Sequence, residues 1–240
     1  VSANDCILDV FYGTDYHSHL GTRRGGMTSY SAELGFQRNI HSIENSPFRT
    51  KFEKDVEKMR GNICIGCISD TDPQPIMVRS KLGLYAVCSI GIIQNAKALS
   101  EELLENGCAN FETMSSGNIN SGGLIGALIA QKPTFVEGIR YAQSKIEGTM
   151  SLVIMTEDSI ICARDKAGKL PILIGKRSDG YCFSFESFAY QKLGYETCHE
   201  LKAGEITKLT KDGYEVLYEG TDEMKICTFL WTYYGYPTAC

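Results

Sequence analysis

Six short apolar segments follow one another between Met150 and Glu219, and each is too short to form a helix of ordinary length. Polar turn sequences such as Asp179-Gly180 separate them, which is the pattern of antiparallel strands joined by tight turns. We therefore predict a β-meander in the last third of the chain, made of the segments MSLVIMT, SIICAR, PILIGK, YCFSFE, EITKLT and YEVLYE.

Four segments with apolar residues at helical spacing precede this meander. The first begins after Asn4 or Asp5, either of which is a suitable N-cap, and it closes at the glycine-rich stretch RRGGM. The second has Asn95 as its cap and a glycine as its stop. The predicted helices are Ile7–Leu20, Asn95–Gly107, Ser121–Gln131 and Thr134–Ile146.

Strand-like apolar runs lie between the first and second predicted helices, at Gly61–Ile68, Pro75–Val78 and Leu82–Ile93. The chain contains no internal repeat and no low-complexity segment, so we interpret it as one organised domain. The order of its segments is a helix, strands, three helices and a meander. This order predicts an α+β fold in which antiparallel sheets carry helices on their outer faces.

The charge balance restricts the partners of such a domain. With 24 basic and 29 acidic side chains the net charge is −5, which argues against nucleic acid or an anionic membrane as the main partner. No apolar run approaches the ~20 residues that a membrane-spanning helix requires, and no signal peptide is visible. We therefore expect a cytoplasmic protein that binds neither nucleic acid nor a membrane.

The chain has 10 cysteines, and most stand inside apolar runs, where a reduced thiol packs as a small hydrophobic group. Cys64 and Cys67 form a C-x-x-C pair, a spacing that zinc sites and redox pairs share. In a strand, residues three apart point to opposite faces, and no second C-x-x-C completes a set of four ligands. We therefore expect reduced structural thiols and predict no cofactor.

A series of short motifs lies in the second half of the chain: Gly148, Arg164-Asp165, Gly168, Pro171, Ile174-Gly175, Ser184-x-Glu186-Ser187 and Ala203-Gly204-Glu205. Each motif is weak alone, but in this order and spacing they resemble the later half of the glutaminase domain of the amidophosphoribosyltransferase family. That family consists of class II glutamine amidotransferases. The resemblance implies a four-layer αββα sandwich of the N-terminal-nucleophile hydrolase type.

The carboxyl end extends the resemblance. The stretch CTFLWTYYGYP, which begins at Cys227, resembles the family's link into its phosphoribosyltransferase domain. The resemblance implies a glutaminase-like domain over residues 1–226 and, over 227–240, the start of a link to a phosphoribosyltransferase domain or subunit. It also implies a homo-oligomer for a full-length protein. Some relatives use a cysteine here as one of four ligands of an iron–sulfur cluster; we predict a reduced thiol and no cluster in this chain.

The family's nucleophile is a cysteine that opens a Cys-Gly-x-Phe-Gly strand. Arg24 and Gly25 are similar to the Arg-Gly of the family's His-Arg-Gly-Gln motif, but the family spacing counted back from Arg24 runs past Val1. Two interpretations of Cys6 are open: it begins the first helix, or it is a nucleophile exposed by removal of a five-residue leader. We favour the first and expect the family's first strand upstream of Val1.

Three further positions depart from the family's glutamine site. Ser69 stands where the family binds the substrate carboxylate with an arginine, and a hydroxyl cannot replace a bidentate cation. Ile90 and Gly91 stand where an asparagine and a glycine N–H bind the oxyanion, so Gly91 is a remnant and one donor is lost. Ser121 matches the aspartate that receives the substrate amine. These substitutions predict a degenerate glutaminase site.

Two local features have alternative interpretations. Asp70 and Asp72 lie in the loop SDTDPQP, where two carboxylates could hold a cation such as magnesium, although a simple Asx-type turn is favoured. His17 and His19 are conceivable anion ligands, but residues two apart on a helix do not share a face.

Two functions therefore stay open. The first is a glutamine-hydrolysing domain that supplies ammonia to a phosphoribosyl-diphosphate amidotransferase in purine synthesis. The second, which we favour, is a domain without glutaminase activity that is a structural or regulatory module for an attached transferase. Its ligand would be glutamine or a replacement small molecule.

Overall fold

The computed structural model describes residues 1–107 and 117–225, and beyond them only the isolated positions 228 and 232. The predictions for Cys227 and for the link over 227–240 therefore lie outside the described residues. A 3₁₀ turn at Ser18–Leu20 follows the first helix. The helices of the described ranges are α1 (Ile7–Tyr16), α2 (Phe48–Val56), α3 (Ala96–Glu105), α4 (Ser121–Ile129), α5 (Phe135–Lys145) and α6 (Ser187–Lys192).

The strands pair in antiparallel fashion throughout the described ranges. They form one six-stranded sheet in the order β12-β11-β7-β6-β5-β4 and two three-stranded sheets, β2-β1-β3 and β10-β8-β9. Their bounds are β1 (Arg24–Ser31), β2 (Gly35–Ser42), β3 (Ile63–Ser69), β4 (Ile76–Ser80), β5 (Gly83–Ile93), β6 (Gly148–Met155), β7 (Ile160–Ala163), β8 (Leu173–Arg177), β9 (Gly180–Ser184), β10 (Glu196–Glu200), β11 (Ile206–Leu209) and β12 (Tyr214–Tyr218).

Residues 1–3 lie between the two three-stranded sheets. The N–H of Ser2 donates to the carbonyl of Asn62, just before β3, at 2.8 Å. On the other side, the N–H of Tyr181 on β9 donates to the carbonyl of Val1 at 2.9 Å. Because the segment bonds to both neighbours, it joins the two small sheets into a single layer.

Apolar clusters separate the layers. The first packs α3, α4 and α5 on the six-stranded sheet and includes Leu128 and Ile154. The second lies between the two layers of strands, where Ile65 on β3 and Val153 on β6 belong to one cluster. The third packs α1 and α2 on β1 and β3 around Phe52. The order helix, sheet, sheet, helix is the four-layer αββα sandwich, so the predicted fold class is confirmed.

The prediction that the six apolar segments of the last third form a single meander is wrong. Strands β6, β7, β11 and β12 belong to the six-stranded sheet, whereas β8 and β9 lie in the other layer. The crossing begins at buried Arg164, whose guanidinium donates to the carbonyl of Gly168 at 2.8 Å. The carboxylate of Asp165 accepts the N–H of Lys169 at 3.0 Å, and its carbonyl accepts the N–H of Gly204 at 3.0 Å. These bonds stabilise a turn that directs the chain away from the first sheet.

Helix α1 ends earlier than predicted, at Tyr16 rather than Leu20. His17 occupies the C-cap position, and its Nδ1 donates to the carbonyl of Gly13 at 2.7 Å, which satisfies a carbonyl that the helix end leaves unpaired. The His17 and His19 rings then stack 6.3 Å apart. The prediction that these two histidines point apart is wrong, because it assumed helical geometry past Tyr16.

Candidate functional site

A cavity of about 340 Å³ lies between the two strand layers and beneath α1. It brings together most of the residues that the sequence indicated, although they come from different elements. Arg24 and Gly25 are not among the residues that line it; Arg24 is exposed on β1, and Gly25 is packed under the ring of Phe48. The predicted positions that line the cavity are Cys6, Ser69, Ile90, Gly91 and Ser121.

Cys6 is the residue at which α1 begins. Its N–H donates to the carbonyl of Gly61 at 2.8 Å, and only 4% of the residue is exposed. The N-cap position is Cys6 and not Asn4 or Asp5 as predicted, although the neighbouring Asp5 accepts the N–H of Ile7 at 3.1 Å. The Cys64 thiol donates to the carbonyl of Gly61 at 3.6 Å, and the interaction of Cys6 with Cys64 lowers the pKa of Cys6. Cys6 is thus held in a packed junction between α1 and β3.

The two cysteines of the C-x-x-C pair have different partners. Cys64 packs with Cys6 in the cluster under α1, whereas Cys67 interacts with Cys88 on β5. Burial raises the pKa of Cys64, and the interaction with Cys67 together with burial raises the pKa of Cys88. In the described part of the chain, no group of three or more His, Cys, Asp or Glu side chains is arranged to hold a metal ion.

The backbone beside Ile90 and Gly91 is held by a side chain. The amide of Gln74 accepts the N–H of Ser89 at 2.6 Å and donates to the carbonyl of Ser89 at 3.0 Å. It thereby extends the pairing of β4 with β5, whose last backbone pair on this side is Ile76 with Val87. The sequence contained no signal for this contact, because a glutamine before a proline has no characteristic partner.

The carboxylates of the loop before β4 bind backbone groups. Asp70 accepts the N–H of Thr22 at 2.6 Å, and buried Asp72 accepts the N–H of Ser121 at 2.9 Å. Asn120 accepts two further N–H groups at the start of α4. Asp72 and Asn120 therefore cap α4, and the geometry gives no support to a shared magnesium site at Asp70 and Asp72.

The electrostatic character of the cavity follows from its charged residues. Asp9, Asp70 and Asp72 line it together with His17, whereas none of its described lining residues is a lysine or an arginine. Asp9 accepts a hydrogen bond from the guanidinium of Arg177 at 2.6 Å and another from the hydroxyl of Tyr195 at 2.9 Å. The cavity therefore offers no cationic side chain to an anionic ligand.

A serine and a histidine form a contact in the cavity that sequence reasoning missed. The Oγ of Ser184, at the end of β9, lies 2.9 Å from Nε2 of His17. Both residues line the cavity, and burial lowers the pKa of His17. Ser184 belongs to a recognised motif and His17 was noted as a conceivable ligand, but the two are 167 positions apart in the chain. Only the packing of α1 beside β9 brings them together.

Comparison with known proteins identifies the family and the fold type of the chain. Residues 59–191 match the family described as "Glutamine amidotransferase domain", and the chain belongs to that family. Its fold is the N-terminal-nucleophile type: it superposes on glutamine phosphoribosylpyrophosphate amidotransferase from B. subtilis, complexed with ADP and GMP, with a TM-score of 0.85 at 22% identity. That superposition covers 99% of this chain and 52% of the other.

The relatives in sequence indicate one kind of amidotransferase. The chain is 25% identical to amidophosphoribosyltransferase of Archaeoglobus fulgidus over 238 residues, which cover 95% of this chain and 50% of the relative. It is 28% identical to the enzyme of the same name from Rattus norvegicus over 187 residues, 68% of this chain and 36% of the relative. The chain thus spans about half the length or less of these relatives, and it is an amidophosphoribosyltransferase-like glutamine amidotransferase domain. Among the described residues, no helix is long and apolar enough to cross a membrane.

Proposed function

We propose that this domain does not hydrolyse glutamine and that it is a structural or regulatory module for a phosphoribosyltransferase domain or subunit. The observation that carries the proposal is the charge of the cavity. Three aspartates and no lysine or arginine are found among its described lining residues. Free glutamine has an α-carboxylate, which must lose its hydration on entering such a cavity.

The residues at the positions that resemble the family's ligands do not offset this cost. Ser69 is half-buried at the end of β3 and offers one hydroxyl, whereas the family motif has a guanidinium that donates two parallel hydrogen bonds. Ser121 has no negative charge with which to bind the substrate amine. Neither end of a glutamine main chain therefore has a charged partner at these positions.

The chemical step lacks a donor as well. Ile90 is 39% exposed on β5 and has no polar side-chain atom for the oxyanion. Loss of one such donor typically lowers the rate by about 10²–10³. Cys6 stands at a helix start, and its free thiol is packed in one cluster with Cys64. The geometry around Cys6 therefore differs from the strand-opening cysteine that the family motif implies.

The partner is proposed from the relatives. Those reported above are about twice as long as this chain or longer, and they are amidophosphoribosyltransferases. We propose that residues 1–226 are the glutaminase-like domain and that residues from 227 lead to the transferase part. In that arrangement the domain would support a transferase that uses free ammonia, or would respond to a ligand other than glutamine.

The test is to incubate the protein with glutamine and to measure glutamate. We expect no release above the background of heat-denatured protein. Turnover above ~1 per second, an ordinary enzyme rate, would contradict the proposal and support an active ammonia-supplying domain instead. Calorimetric titration with glutamine is the matched binding measurement, and we expect no saturable heat. The Ser69→Arg variant, which adds a cation at the cavity, shows whether the missing charge is what prevents binding.

A further inference from the structure

We propose that Ser184 and His17 form a nucleophile and general-base pair that hydrolyses carboxylic esters with small, uncharged acyl groups. This activity is separate from the proposed function, because it uses neither glutamine nor Cys6. The pair lies in the same cavity but on the wall formed by the end of α1 and the end of β9.

The hydrogen bonds fix the tautomer of His17. Its Nδ1 lies 2.7 Å from the carbonyl oxygen of Gly13, and a carbonyl oxygen only accepts, so Nδ1 carries the proton. Nε2 of the neutral ring is then a bare acceptor, and it receives the Ser184 hydroxyl at 2.9 Å. A serine is activated when its hydroxyl is hydrogen-bonded to a base and a third group fixes the orientation of that base. Here the third group is a backbone carbonyl.

The surroundings keep His17 in the basic form. Burial lowers its pKa, the hydrogen bond to the Gly13 carbonyl opposes that effect, and the neighbouring His19 adds to the lowering. The ring of Phe188 on α6 lies 5.4 Å from the His17 ring, and the carboxylate of Glu186 lies 3.6 Å from Nε2 of His19. His17 is therefore neutral at pH 7 and able to accept a proton.

Ser184 is placed to react. It is 8% exposed and lines the cavity, and its Oγ also accepts the N–H of Glu186 at 3.3 Å. That N–H helps to fix the position of Oγ beside Nε2 of His17. The described residues that line the cavity include exposed Asp70 and Ile90, so the cavity reaches solvent.

The lining determines the class of substrate. The cavity that the pair lines also has apolar side chains, including those of Phe183, Phe185 and Leu193. The acidic lining residues described are Asp9, Asp70 and Asp72, and no lysine or arginine is among the described lining residues, so an acyl group with a carboxylate is disfavoured. A cavity of about 340 Å³ accommodates a short acyl chain with a small alcohol.

The reaction balances with water as the only co-substrate. Ser184 Oγ bonds to the acyl carbon while its proton passes to Nε2 of His17. The same proton then goes to the departing alcohol oxygen as the ester bond breaks, which leaves an acyl-serine. His17 next takes a proton from water, the resulting hydroxide attacks the acyl carbon, and that proton returns to Ser184 Oγ as the carboxylic acid leaves.

The experiment uses a fluorophosphonate probe, which labels activated serines, followed by peptide mapping. We expect a single adduct on Ser184 in the wild-type protein. In His17→Gln, which keeps a polar side chain, the labelling rate should fall by about 10²–10⁴, the usual contribution of a general base. Ser89→Ala is the matched control, because Ser89 also lines the cavity and is not bonded to His17; its labelling should equal that of the wild type.

Substrate choice is measured with 4-nitrophenyl acetate and the 4-nitrophenyl monoester of succinate. We expect the uncharged acyl group to be preferred by about tenfold or more. Folded wild-type protein without an adduct on Ser184, or an unchanged labelling rate in His17→Gln, would overturn the proposal. Because the result is read on wild-type protein, it does not depend on whether Ser184→Ala folds. Glutamate release in the earlier assay would contradict the proposed function alone and would leave the Ser184 result to stand.

Discussion

The guanidinium of Arg177 on β8 lies 2.6 Å from the carboxylate of Asp9 on α1. The same guanidinium bonds Asp179 at 2.6 Å and the carbonyl of Leu193 at 2.9 Å, and it stacks 4.3 Å over the ring of Tyr195. One side chain therefore joins the first helix to the sheet that carries Ser184. The orientation of α1 over the cavity depends on this contact more than on any exposed ion pair.

We expect Arg177→Met to lower the free energy of unfolding by about 2 kcal/mol, since hydrogen bonds to charged groups are lost and Asp9 keeps only neutral partners. This loss is smaller than that expected for a fully buried ion pair, because the side chains of Arg177 and Asp9 are 27% and 25% exposed. Urea unfolding measures it. The control is Arg49→Met, which removes the exposed ion pair of α1 with Asp15 and should change the stability by no more than about 1 kcal/mol. Equal losses in the two variants would contradict this reasoning.

Acid should weaken the same junction over a defined range. The bond from Arg177 holds the pKa of Asp179 at about 2, below its ordinary value of 3.8. A carboxylate with a lowered pKa in the folded state contributes stability above its unfolded value and loses it as pH falls. The contribution of Asp179 should therefore be complete above pH 3.8 and disappear towards about 2. Asp179→Asn should flatten the stability profile in this range, whereas Asp212→Asn, which changes an exposed pair, should leave its slope unaltered.

Periodic segments were the part of the fold that the sequence predicted well. Helices α3, α4 and α5 and strands β3, β4 and β5 were predicted to within two residues at each end, since each combines regular apolar spacing with turn or cap residues. Strands β1 and β2 were missed because their sequences, RGGMTSYS and GFQRNIHS, are rich in glycine and polar residues. Strand β10 (ETCHE) and helices α2 and α6 were missed as well. Whether these segments form strands or helices depends on the tertiary contacts around them.

The site was partly predictable from the resemblance to the family rather than from periodic spacing. Ser69, Ile90 and Gly91 were selected by their resemblance to positions of the family's glutamine site, and the structure places them in one cavity. The contact of His17 with Ser184 depends on where α1 ends and on which layer β9 joins. Both features are tertiary, so local pattern could not reveal them.

Gly26 on β1 should tolerate no side chain. A Cβ built there would lie 1.7 Å from the carbonyl oxygen of Gln74, which is backbone and cannot turn aside. We expect Gly26→Ala to lower the free energy of unfolding by about 3 kcal/mol, the upper end for overpacked cores. Because Gln74 holds Ser89, the variant should also alter the cavity. At Gly213 nothing lies within 4 Å of an added Cβ. The free energy of unfolding of Gly213→Ala should therefore be within about 0.5 kcal/mol of the wild-type value.

The buried His17 should make stability fall on mild acidification. Its pKa in the folded protein is lowered from 6.5 by burial, so below pH 6.5 the unfolded chain binds a proton that the folded protein resists. The His17 contribution to stability is therefore complete above pH 6.5 and is lost as pH falls through and below that value. The groups that face the ring are His19 on the same turn, Ser184 on β9 and Phe188 on α6.

We expect His17→Gln to reduce the pH dependence of the urea midpoint between about pH 7.5 and 5.5, because glutamine takes up no proton. His19→Gln is the matched control: His19 is the more exposed histidine of the same turn, and its removal should leave most of that dependence in place. The fluorophosphonate labelling rate of Ser184 should follow the same titration, constant above pH 6.5 and falling only in more acidic solution. A midpoint that rises on acidification, or a labelling rate that is already halved at pH 7, would show that His17 is not held in its neutral form.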